Sequence, residues 1–181
     1  MKRRAFLKSA AVLPVIGLDG FAIGQANPGV QQVHVVSDGQ DRFGETHSLG
    51  FSTILFKTVP SETNGGLLVI EHKNLIKGGP PLHFHLYQDE WFYVMDGEVV
   101  FQVGGIQKRL GAGESVLGPR GIPHTFSAVG QKPAHMLIAF TPAGKMEGFF
   151  REVAVPNGPK MEADLFARFD MRYVGPPLVV T

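Results

Sequence analysis

Between Phe51 and Thr141 the chain is a succession of short β-rich runs parted by glycine and proline, and this punctuation limits what it can fold into. Phe51–Thr58, Leu67–His72, Glu90–Met95, Glu98–Val103, Ile106–Leu110, Glu114–Leu117, His124–Val129 and His135–Thr141 are the runs. Turn signals stand between them: Pro60 through Gly66, Asp96-Gly97 and Gly104-Gly105. Asp-Gly and Gly-Gly between apolar runs signal two-residue hairpins, because both central residues need positive φ. Strands recurring this often predict a sandwich or a barrel. There is no internal repeat, so one barrel is expected rather than two. Val33–Val36 reads as a lead-in strand. Lys145–Val153 and Met161–Phe169 read as two short helices, with Phe149 and Phe150 capping one end of the barrel. Arg172–Thr181 reads as extended, interrupted by Pro176-Pro177. The predicted class is all-β: one domain over 27–181, with a barrel core at about 50–142 and a helical tail at 145–181.

Composition agrees and removes several chemistries. The 181 residues include 23 Gly and 13 Pro, which suits many strands and tight turns. There is no cysteine, so disulfides, thiolate metal sites and cysteine nucleophiles are excluded. The net charge is +1 and uneven. Residues 1–26 hold Lys2, Arg3, Arg4 and Lys8 against Asp19, a balance of +3 that leaves −2 for the rest. A slightly acidic body offers no electrostatic footprint for nucleic acid.

The basic start is followed by an apolar run from Ala10 to Leu18 and by the small residues Gly24 and Ala26. That is the layout of an export signal. The run is about half the roughly 20 residues that a spanning helix needs, so no membrane anchor is expected. Arg3, Arg4, Phe6, Leu7 and Lys8 resemble the bacterial twin-arginine export motif, with Lys2 where Ser or Thr is usual. The resemblance implies a periplasmic or extracellular protein, with cleavage expected after Ala26.

Chemistry concentrates in two segments. In Pro80-Pro81-Leu82-His83-Phe84-His85, strand alternation puts His83 and His85 on one face, where two imidazoles can share a metal ion. Glu90 opens the next strand after a four-residue connection and can add a carboxylate oxygen. In Gly113 to His124, Pro119 and Pro123 stiffen a turn that Gly121 permits, and the turn delivers His124 at the start of a strand. Three imidazoles and a carboxylate suit one divalent Fe, Mn, Ni, Cu or Zn ion per chain. Alternation from Glu90 and His124 turns Phe92, Val94, Phe126 and Ala128 inward, as candidates for an apolar substrate pocket. Trp91, Tyr93 and Phe84 turn to the opposite face, where a second copy, the N-terminal arm or the C-terminal helices could cover them. His34, His47, His72 and His135 belong to no motif and read as surface or hydrogen-bonded core residues.

The two segments resemble the two motifs of the cupin superfamily. His83, His85, Glu90 and Gly97 fit the first; Gly113, Pro119, Gly121 and His124 fit the second. The glycines before His83, Gly78 and Gly79, lie one or two residues nearer than usual, and Ala128 stands where the family has Asn. The resemblance covers roughly residues 65–142. It implies a double-stranded β-helix, or jelly-roll barrel, and a homodimer formed through sheet faces. From His83 through Pro142 the chain is similar to small cupins related to quercetin 2,3-dioxygenase. That implies a metal-dependent dioxygenase acting with O₂ on a small aromatic or enolisable substrate, with Glu90 as both ligand and catalytic base. Isomerisation or decarboxylation without O₂ is an alternative on the same site, as is binding without turnover.

Overall fold

The computed structural model describes residues 33–180. The expected export signal, 1–26, lies outside the described residues. Eleven strands and two helices follow in the order β1 (His47–Ser48), β2 (Thr53–Thr58), β3 (Leu68–Leu75), β4 (Pro81–His85), β5 (Asp89–Asp96), β6 (Glu98–Val103), β7 (Ile106–Gly111), β8 (Ser115–Gly118), β9 (His124–Val129), β10 (Ala134–Thr141), α1 (Met146–Val153), α2 (Ala163–Arg168) and β11 (Met171–Pro177). They form two antiparallel sheets, β1-β2-β3-β10-β5-β8 and β11-β4-β9-β6-β7. This is a two-sheet antiparallel β-sandwich, the all-β architecture that the strand pattern predicts.

Alternation builds the interior. Along β10, Ala134, Met136, Ile138 and Phe140 are buried and the residues between them are not. Ile54, Phe56, Leu68, Ile70, Phe92, Val94, Val99 and Phe101 complete the core between the sheets. α1 places Met146, Phe149, Phe150 and Val153 against the same core, and α2 adds Leu165 and Phe166. Among the described residues no helix is long and apolar enough to cross a membrane.

Four local expectations change. Val33–Val36 forms no strand; Val33 and Val35 are exposed and pair with nothing that would bury them. Asp96-Gly97 is no hairpin. β5 pairs with β10 and β8, and β6 with β7 and β9, so this turn carries the chain from one sheet to the other. Gly97 has φ +74°, and a Cβ there would lie 2.8 Å from Ala134 Cα, so close approach at a sandwich corner demands the glycine. Gly104-Gly105 does close a hairpin, with Val103 opposite Ile106. The tail is not wholly helical: β11 returns to pair with β4 and completes the five-stranded sheet. Phe84, on β4, also lies in a different sheet from Trp91 and Tyr93, so the three do not form one row.

Candidate metal centre

Three strands deliver the four predicted ligands. β4 supplies His83 and His85, β9 opens on His124, and His83 and His124 are direct cross-strand partners. β5 brings Glu90 in from the facing sheet, opposite Gly118 of β8. A Cβ on Gly118 would sit 3.0 Å from His124 Nδ1, so the glycine leaves room for this imidazole beside Glu90. The 118–124 turn is tied to the ligand strand where the Gly121 amide donates to the His85 carbonyl, 2.8 Å away. The ligand atoms of His83, His85, Glu90 and His124 lie within 4.8 Å of one another, and all four residues are buried.

The donor set fits a cation. His83 Nδ1–H donates to the Pro81 carbonyl at 2.8 Å, and His124 Nδ1–H to that of Ile122 at 2.9 Å. Backbone acceptors of this kind fix ring orientation and leave Nε2 as the ligating lone pair. His124 Nε2 and His85 Nε2 both face one oxygen of Glu90, at 2.8 and 3.0 Å. A bare imidazole nitrogen and a carboxylate oxygen repel unless a proton or a metal ion lies between them. Electrostatics say the same. Burial disfavours the ionised form of Glu90, yet hydrogen bonds and charge from His124 and His85 outweigh it and hold the carboxyl far below the usual range. Burial also opposes a charged His124, but Glu90 and the Ile122 carbonyl overcome it and raise its pKa. His83 is held neutral, its pKa lowered to about 3 by burial and by the charges of His124 and His85.

The centre forms one wall of a partly open, mostly apolar cavity of about 30 Å³, room for one or two waters. His83, His85 and Glu90 meet Phe140, Phe149, Phe150 and Phe166 across it. Of the four pocket residues expected from alternation, Phe126 lines this cavity. Phe92, Val94 and Ala128 do not: they lie further along the same inward face, packed in the core. Alternation fixes the face a side chain takes, not its depth along the strand. The 145–181 tail supplies what that reasoning missed, Met146, Phe149, Phe150, Met161 and Phe166. His72 was missed as well. It is buried on the inward face of β3 and lines the cavity, where alternation with Leu68 and Ile70 could have placed it.

Fold and site together define a double-sheet β protein with a three-histidine, one-glutamate centre at one end of its interior. Residues 75–140 match the Cupin domain family model. The tetracenomycin polyketide synthase protein TcmJ of Streptomyces glaucescens is 29% identical over 98 residues, 54% of this chain and 65% of that protein. The match thus spans just under two thirds of that relative's length. An RmlC-like cupin from Shewanella frigidimarina has the same fold, with TM-score 0.53 and 23% identity over 65% of this chain and 98% of that one. So does Pac13, a nucleoside dehydratase from Streptomyces, with TM-score 0.53 and 13% identity over 81% of this chain and 95% of that one. Over residues 75–140 the chain is thus similar to the cupin domain, and its fold is that of small cupins.

Proposed function

We propose that this cupin-like protein is an exported, metal-dependent dioxygenase acting on a small aromatic or enolisable substrate, in the manner of quercetin 2,3-dioxygenase. The observation that carries the reading is the convergence of His83, His85, Glu90 and His124 on one point, with His83, His85 and Glu90 lining an aromatic cavity. A divalent transition metal held by these residues supplies Lewis acidity toward a substrate oxygen. Glu90, buried and ionised, would take the proton of a substrate hydroxyl. Phe149, Phe150 and Phe166 keep water from the activated ring. The relative named for polyketide synthesis supports an enolisable substrate, since β-ketone chains lose a proton readily and present paired oxygens.

A ring is larger than the cavity, so entry requires side chains to give way. Leu49, Phe51 and Met161 line both the cavity and the wide outer depression bounded by residues 46–51 and 153–162, and they form the entrance.

Protein loaded with Fe, Mn, Ni or Cu is expected to consume O₂ with a flavonol or another enolisable phenol. No uptake across a broad panel, with metal confirmed bound, overturns the reading. Product formed without O₂ selects an isomerase or decarboxylase, and ligand binding without product selects a carrier. Elemental analysis of protein from its native host identifies the metal. Export rests on the Arg3-Arg4 motif and is tested by N-terminal sequencing of secreted protein, expected to begin at Asn27. A homodimer is proposed through the outer face of the six-stranded sheet, where Trp91 stacks on Tyr93 at 5.7 Å and remains 38% exposed. Sedimentation of Trp91→Glu against the parent chain tests it.

A further inference from the structure

His72 is the one cavity histidine outside the ligand set. It is 1% exposed, and its ring stands edge-on to Phe126 and Phe150, which both line the cavity. Its Nδ1 is 2.9 Å from the hydroxyl of Ser52, itself buried. Its Nε2 is buried with no hydrogen-bond partner among the described residues. A polar nitrogen left unpaired in an apolar interior carries its full desolvation cost, so native structures keep such groups for a reason.

The tautomer follows from the pairing. The Ser52 hydroxyl has no acceptor other than His72 Nδ1 among the described residues, so O–H donates to Nδ1. The ring proton then sits on Nε2. Burial keeps the ring neutral. The mostly apolar cavity wall therefore carries an unpaired His72 N–H donor beside the metal-ligand cluster, whose own unpartnered imidazole nitrogen is His85 Nδ1.

We infer that His72 is a substrate-positioning residue whose Nε2–H donates to an acceptor oxygen of the substrate, so that the cavity selects molecules with two oxygens, one for the metal centre and one for His72. The inference rests on the cavity being the substrate site. It narrows the substrate class to hydroxy-carbonyl compounds and their enolates, because a simple phenol satisfies the metal centre and leaves Nε2 unpaired. Sites built to pair a polar group discriminate strongly against analogues that lack it.

The test is anaerobic binding to metal-loaded protein, with two probes: 3-hydroxyflavone, and 2-phenylphenol, which lacks the carbonyl. His72→Phe is expected to weaken 3-hydroxyflavone on the order of ten-fold and to leave the phenol unchanged. His72→Gln, which keeps a donor, recovers part of the loss. Ser52→Ala, which frees the tautomer while keeping the ring, weakens 3-hydroxyflavone by a smaller factor and covers the case in which His72→Phe fails to fold. In the parent chain, ¹⁵N NMR of the imidazole is expected to show the proton on Nε2. Equal losses for both probes, or a proton on Nδ1, overturn the inference and leave the dioxygenase reading standing. If neither probe binds the parent chain, the inferred hydroxy-carbonyl class is wrong and the inference falls, while the dioxygenase reading is decided by the O₂-uptake panel. O₂ uptake, measured separately, bears on the reaction alone.

Discussion

The interior has two halves built from the same strands. β9 gives His124 to one half and Ala128 to the other, with Phe126 at the boundary, lining the cavity and joining the dry triad; β5 gives Glu90 to one, and Phe92 and Val94 to the other. In the dry half, Phe92, Phe101 and Phe126 pack as a triad with centroids 5.0 to 5.9 Å apart. In the polar half, imidazoles replace the phenyl rings at similar spacing: His83 and His124 are 4.8 Å apart, His85 and His124 5.5 Å. The packing is alike and the energetics are opposed. Phenyl rings gain by leaving water, whereas the histidines and Glu90 lose hydration that only a shared cation and orienting carbonyls restore. The dry half holds the fold together, and the polar half spends stability on a binding site.

That contrast breaks most sharply under truncation. Phe101→Ala removes one member of the dry triad, and we expect a loss of about 3–5 kcal/mol in urea unfolding. Metal stoichiometry at saturation should stay at one per chain. If metal binding disappears while the fold survives, the two halves are not separable and the division is wrong.

Glu90→Gln is the reciprocal case. It keeps the side-chain size and removes the carboxylate charge that His85 and His124 share. Metal affinity should fall by more than the roughly 100-fold that the loss of an orienting partner costs. At a metal concentration 100 times the parent's Kd, bound metal stabilises the parent by about 2.7 kcal/mol. The variant should lose nearly all of that gain while its metal-free form still unfolds cooperatively. An undiminished thermal shift on adding metal to Glu90→Gln would remove Glu90 from the ligand set.

The division also explains what the sequence could tell. The polar half was largely legible, because His83, His85, Glu90 and His124 sit at spacings that strand alternation and a rigid turn turn into positions. The dry half was legible as a face and not as a depth, which is why Phe92, Val94 and Ala128 are pocket candidates by alternation yet are packed in the core, Phe92 with its ring 6.0 Å from that of His124. The cavity roof was not legible as such. Phe166 and Met161 reach the site through a tail whose docking depends on β11 pairing with β4, a contact between segments distant in the chain. Asp96-Gly97 misled for a related reason. The same dipeptide serves a hairpin or a sheet-to-sheet corner, and pairing far away in the chain decides which.

Acid supplies the finest test of the contrast, since the dry triad has nothing to titrate. Burial lowers the pKa of His72 from 6.5 to about 3, against the attraction of Glu90. The folded state therefore holds a neutral ring through a range in which the unfolded chain takes up a proton. The stabilising contribution is intact above about 6.5 and is lost as pH falls from there to about 3. The slope is at most one proton, about 1.4 kcal/mol per pH unit. His83 carries a shift in the same direction and remains in any His72 variant, so the difference between chains is the readout. In metal-free protein, His72→Phe should lose stability less steeply than the parent between pH 6.5 and pH 4. Phe101→Ala should run parallel to the parent, displaced by a constant amount. A constant offset for His72→Phe as well would mean that the His72 ring is neutral in both states or charged in both, and that the polar half does not bury it as an unprotonated donor.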